Sequence, residues 1–152
     1  PCRGSPEALP PWLRDHGDAE PRLHRQQHQL NQNRPGAPRD SSTPRAFARS
    51  LGHLLLGPGL APASRARLWA DMQASQTGLE RLRAGVPDAG WRVLDKTGTG
   101  ARGAANDVAL VFPPAGRAPW VVVALQSDST APGGELSAVL ADAMRVLVKA
   151  WA

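Results

Sequence analysis

The 152-residue chain has one cysteine, no tyrosine and two phenylalanines, and its only lysines are Lys96 and Lys149. A lone Cys2 excludes an internal disulfide framework. So few aromatics leave an aliphatic core, and the 15 Gly and 15 Pro imply many turns without reaching the ~25–30% Pro plus Gly of low-complexity disorder. No apolar run approaches the ~18 residues of a membrane span. The start, PCRGSPEALPPW, has neither an initiator Met nor a signal-peptide core, so the chain is expected to begin at a cut.

Blocks of one charge sign are also missing. The net charge of +5 raises the question of nucleic acid, whose binders concentrate Arg and Lys on one stripe beside stacking aromatics. Here acids interleave with bases, as in Glu7, Arg14 and Asp15, or Asp95 and Lys96. No nucleic-acid partner is expected; the pattern is that of a solvated basic surface.

What is present suits a single α/β domain over 1–152. In STPRAFARSLGHLLLG, Thr43 can cap and Pro44 takes the first helical position, while Phe47, Leu51, Leu54 and Leu55 form one stripe; this predicts a helix over about 44–56. A second helix is predicted over about 63–73, with Leu68, Trp69 and Met72 inward, followed by a short amphipathic piece, LERLRAG. Past Trp91 the period changes. WRVLDKTGT, NDVALVF and PWVVVALQ read as three closely spaced antiparallel strands, about 91–99, 106–112 and 119–126. A closing helix over about 135–151 places Leu136, Leu140, Ala143, Leu147 and Trp151 on one side.

Two stretches carry candidate chemistry. RLHRQQHQLNQNRPGAPRD, residues 22–40, holds His24 and His28 at i, i+4. That spacing resembles a zinc motif, but the intervening Glu is absent and no helix signal surrounds it, so no metal is expected. DKTGTG puts Lys96 and Thr97 at the end of a strand beside Gly98 and Thr99, a cation and a hydroxyl next to open backbone N–H groups. Such a strand edge suits a carboxylate ligand or a developing oxyanion. Asp95 alternates away from Lys96, which assigns it a structural role, and Asp107 is expected to open the next strand and cap its turn.

The run WRVLDKTGTG with ANDVALVFPPAGRAPWVVV resembles the class A serine β-lactamases, in which Lys-Thr-Gly is a signature. RAGVP, STPRAFARSLGHLLLG and GSPEALPPWLRDHGD resemble that family's helices and turns in the same order, so the likeness runs from about Gly4 to Trp151. It implies the C-terminal portion of a β-lactamase/transpeptidase-like domain, an incomplete form of that fold. In the family an Ω-loop reads Arg-x-x-Arg-x-Glu-Pro-x-Leu-Asn and closes on Arg-Asp. Arg22, Arg25, Leu30, Asn31, Arg39 and Asp40 match it, and the loop is expected over 22–40.

By this resemblance Arg25 and Asp40 pair across the loop neck and Asn31 positions a water. Gln27 stands where the family has its general-base Glu, and a neutral carboxamide cannot take a proton from water. Lys96 and Thr97 would meet the β-lactam carboxylate, with Gly98 beside them, and the Thr99 N–H would form half an oxyanion hole. The family's strand arginine is missing at Ala105. Arg81 falls where some members supply a substitute from the preceding helix, although a solvated helix charge fits it equally. The nucleophile of the family lies in Ser-x-x-Lys, which occurs nowhere here, since Val93 and Val146 precede the two lysines. Nor is there a Ser-Asp-Asn loop; Ser127-Asp128 is followed by Ser129.

The resemblance therefore implies β-lactam hydrolysis through an acyl-serine, without cofactor, in a periplasmic or secreted protein. This chain alone is expected to be inactive, with a missing N-terminal segment as a partner; a β-lactam- or peptidoglycan-binding module is the alternative. Unfilled sheet faces forgo ~25 cal/mol per Å² of apolar burial, so an isolated chain that is marginal, dimeric or aggregating is expected.

Overall fold

A computed structural model describes residues 9–15, 32–36, 40–87 and 89–151. Its elements are α1 (Leu9–Asp15), α2 (Pro44–Leu55), α3 (Pro62–Gln73), a single 3-10 turn (Leu82–Gly85), β1 (Arg92–Gly100), β2 (Ala104–Phe112), β3 (Trp120–Ala124) and α4 (Gly133–Trp151). The strands form one antiparallel sheet in the order β1-β2-β3. The expected α/β class and three-strand meander are present, with β3 ending two residues early. LERLRAG is a turn followed by the 3-10 helix rather than an α-helix.

The sequence explains the layering. β2 lies between two strands and is covered on both faces, so its burial is nearly continuous. An unbroken apolar run such as VALVF suits that position, whereas a sheet with one wet face would alternate. On one face Val93, Ala109, Val111 and Val122 pack with Leu82, Met144 and Val148. On the other, Leu94 and Leu110 pack with Leu55 and Met72. α4 and the 3-10 turn cover the first face, and α2 and α3 the second.

α2 begins as its sequence predicts: Thr43 is extended, its Oγ1 accepts from Ala46 N at 3.2 Å, and Pro44 opens the first turn. The indole of Trp69 donates to Leu55 O at 3.2 Å and Arg65 Nη1 to Gly57 O at 2.8 Å, fastening α3 to the end of α2. In α4 the buried stripe is Leu136, Leu140, Met144 and Val148, flanked by Ser137 and Ala141. The expected stripe is therefore corrected by a rotation about the axis: Ala143 is exposed and Leu147 half-buried. Apolar residues surround this helix, so its period alone does not select the face. Trp151 is half exposed yet packs edge-on against Trp120 at 4.8 Å, which in turn meets Trp91 at 5.3 Å.

The outer edge of β3 pairs with no strand among the described residues. Beside it lies an open groove of about 1020 Å³ lined by Pro44, Ala48, Trp120, Val122, Leu147 and Trp151, among others. Among the described residues no helix is long and apolar enough to cross a membrane.

Candidate functional site

At its far end β1 carries Lys96, Thr97, Gly98 and Thr99, of which Thr97 is half-buried and the others exposed. Lys96, Thr97 and Gly98 line a cavity of about 580 Å³ together with Asp40, Asn106 and residues of α1 and α2. That volume is within the ~300–1,000 Å³ of small-molecule sites. Lys96 Nζ donates to Thr97 O at 2.6 Å, and the Thr97 and Thr77 hydroxyls lie 2.5 Å apart. Thr77 escaped sequence reasoning, because a hydroxyl in a polar turn carries no signal of what it will face. Asp40 reaches the cavity from a left-handed backbone position at φ 54°. Asn33 Nδ2 donates to Ala101 O at 3.2 Å and joins its segment to the β1–β2 turn.

Behind the strand lies a buried cluster of charge. Arg81 is 9% exposed, so neither a helical position nor a solvated charge describes it. It precedes the 3-10 turn, and its guanidinium spans the strand ends: Nη1 donates to Gly98 O at 3.0 Å and to Asn106 O at 2.8 Å, and Nη2 to Thr99 Oγ1 at 2.7 Å. Arg81 thus meets the site through Thr99. Asp95, fully buried, is ion-paired with Arg83 and accepts from Ser75 Oγ at 3.0 Å. This is the structural role that its alternation predicts. Segment 75–83 wraps closely around it, and a Cβ on Gly78 would lie 1.8 Å from Asp95 Oδ2.

Asp107 corrects its expectation. It lies inside β2, opposite Thr97, and is fully buried. Its Oδ2 accepts from Leu82 N at 3.1 Å, so it caps the 3-10 turn rather than the β-turn. Its Oδ1 has no hydrogen-bond partner among the described residues. Burial, and then the charge of Asp95, raises its pKa from 3.8 to about 6, against the pull of the Leu82 N–H and Arg81. Because the folded value exceeds the unfolded one, the associated stability is complete below pH 3.8 and lost as pH rises through 6. Relative to wild type, Asp107→Asn is therefore expected to gain roughly 2 kcal/mol between pH 4 and pH 7. Urea titrations of both proteins across that range check this; a pH-independent difference contradicts it.

Gln27, Asn31, Arg25, His24 and His28, like most of the expected Ω-loop, lie outside the described residues. Among the described residues no three His, Cys, Asp or Glu side chains gather to hold a metal.

A family model described as the β-lactamase enzyme family matches residues 3–151. The chain is 44% identical to β-lactamase AST-1 of Nocardia asteroides over 147 residues, covering 97% of this chain and 47% of that protein. It is 45% identical to a β-lactamase of Mycobacterium tuberculosis over 130 residues, 86% of this chain and 41% of that one. The solved ancestral class A β-lactamase of Gram-negative bacteria superposes with a TM-score of 0.93 at 47% identity, over 97% of this chain and 56% of that structure. The chain spans about half the length of the curated relatives it matches.

Proposed function

Since the chain belongs to the class A β-lactamase family, we propose that it forms the substrate-facing wall of an enzyme that opens β-lactams through an acyl-serine. Lys96, Thr97 and Thr99 bind the antibiotic's carboxylate and carbonyl oxygen, with Arg81 behind them. Gln27 occupies the general-base position of the Ω-loop, Asn31 orients the water, and Arg25 with Asp40 closes the loop neck. The serine comes from a complementing segment, and the protein works in the periplasm or outside the cell. The observation that carries this reading is the row Lys96–Thr99 on an open strand end beside a cavity of substrate size.

A second observation supports the complementing segment. Among the described residues no strand pairs with the outer edge of β3, which carries Trp120, Val121, Val122 and Val123 next to an apolar groove. Such an edge accepts an added strand or, left bare, promotes association.

The test pairs the chain with a family N-terminal half that carries Ser-x-x-Lys and Ser-Asp-Asn. Benzylpenicillin is expected to leave an acyl mass on that half only when the chain is bound to it. Lys96→Ala is expected to slow adduct formation about 10- to 100-fold, the worth of a charge-assisted hydrogen bond. An assembled pair that gains no adduct refutes the reading. So does hydrolysis of nitrocefin above buffer background by the chain alone.

A further inference from the structure

The mechanism of the family uses the exposed row on β1; it does not account for a carboxylate buried beneath it with one oxygen unpartnered among the described residues. Asp107 lies directly across the β1–β2 pair from Thr97. Its other oxygen holds Leu82 N, the amide immediately after Arg81. Arg81 in turn gives two hydrogen bonds to backbone carbonyls at the strand ends and one to the exposed Thr99 hydroxyl. A hydroxyl that accepts from a guanidinium directs its own hydrogen away from it, toward solvent or a ligand. The chain of contacts therefore runs from a buried acid, through a fixed cation, to a donor on the surface.

We propose that Asp107 is a positioning residue for anion recognition: by capping the turn at Leu82 it fixes Arg81 behind Thr99, and its ionisation is coupled to carboxylate binding there. This deepens the reading of Lys96–Thr99 as the carboxylate-binding row and rests on it. The coupling has a definite sign. Ionised Asp107 offsets part of the charge that Arg81 presents to a ligand; protonated or amidated, it no longer does, while its remaining carbonyl oxygen still accepts from Leu82 N. A bound carboxylate and a proton on Asp107 thus favour each other, reciprocally.

The other charges around Asp107 are few. Asp95 on β1 is ion-paired with Arg83, which belongs to the 3-10 turn. On α4 the charged groups are Glu135, Asp142, Arg145 and Lys149, all exposed, with Asp142 and Arg145 paired together. Arg145 also donates to Ala84 O at 3.3 Å. The charge of Asp95 adds to burial in disfavouring the ionised form of Asp107. The desolvated position of Asp107, with its pKa raised to about 6, brings its own titration into a usable range.

The test follows benzylpenicillin binding to the isotope-labelled chain by the amide signal of Thr99, between pH 5 and 7.5, where the ligand stays ionised. Wild type is expected to bind about fivefold more tightly at pH 5 than at pH 7.5. In Asp107→Asn the ratio is expected to fall toward one; this variant keeps every histidine, so any pH dependence they cause remains in it. Equal pH ratios in the two proteins overturn the inference while leaving the carboxylate row intact. If benzylpenicillin shifts no signal of β1 in either protein, the proposed function fails at this chain, and a second measurement decides the positioning claim. Without ligand, the Arg81 Nε–H and Thr99 signals of wild type are expected to titrate with a midpoint near 6. Their indifference to pH overturns the claim, and this titration needs no variant to fold.

Discussion

In the assembled protein, Gln27→Glu is expected to shorten the lifetime of the acyl-serine by about 10²–10⁴-fold, the usual worth of general-base assistance. Deacylation requires a group that removes a proton from water as it attacks the ester. The carboxamide of Gln27 holds two donors and one acceptor and stays neutral across the working pH range, so it can orient that water but not deprotonate it. The effect falls on the lifetime of the adduct once formed, whichever group serves as base in acylation. On the proposed function, the assembled protein with Gln27 in place is expected to react once with a β-lactam and stay acylated. A pulse of benzylpenicillin followed by intact-mass measurement separates the two steps. Equal decay of the adduct in both proteins would remove Gln27 from the general-base position and direct attention to another acid.

The two ends of that prediction were not equally legible. The matching of Gln27 to a base position comes from the pattern around it, Arg22, Arg25, Leu30 and Asn31, and from nothing in its own chemistry. The Lys96–Thr99 row was legible in the same way, since a strand ending in Lys-Thr-Gly acquires meaning only beside its neighbours. The sheet was legible from physics alone. Asp95 alternates between Leu94 and Lys96, and the structure puts it on the α4 side with Val93.

The buried charges were only half legible, for a definable reason. A carboxylate within an apolar run, as Asp107 is in NDVALVF, must be either partnered or desolvated, and that much can be read in advance. Its partner cannot, because Leu82 lies 25 positions upstream and contributes a backbone N–H, which every residue but proline possesses. Arg81 poses the same difficulty, since two of its three acceptors are carbonyls. Side-chain pairing leaves traces in residue types; pairing with the backbone does not. The α4 face was lost differently, through an excess of apolar residues around the whole helix.

Asp95→Ala is expected to cost about 3–5 kcal/mol of folding stability, the range for removing one partner of a buried ion pair. Arg83 keeps 24% of its side chain exposed, so solvent relieves part of the loss and the lower end of that range applies. Three contacts disappear together: the ion pair to Arg83, the bond from Ser75 Oγ, and the packing of Gly78 against the carboxylate. Among the described residues Arg83 Nε already lacks a partner, so the variant leaves a cation largely without acceptors there. Against a typical total of ~5–15 kcal/mol, a single substitution of this size brings the fold close to unfolding. The same segment bears Thr77 and Arg81, so carboxylate binding at the strand end is expected to weaken with it. Replacing Arg83 as well, in Asp95→Ala/Arg83→Met, removes the stranded charge and is expected to restore about half of the loss, a non-additivity that separates a broken pair from a mere cavity. Urea midpoints of the two single variants and the double variant provide the measurement. Single-variant costs that simply add, or an Asp95→Ala cost below about 1 kcal/mol, would mean that the carboxylate is not what holds segment 75–83 against the sheet.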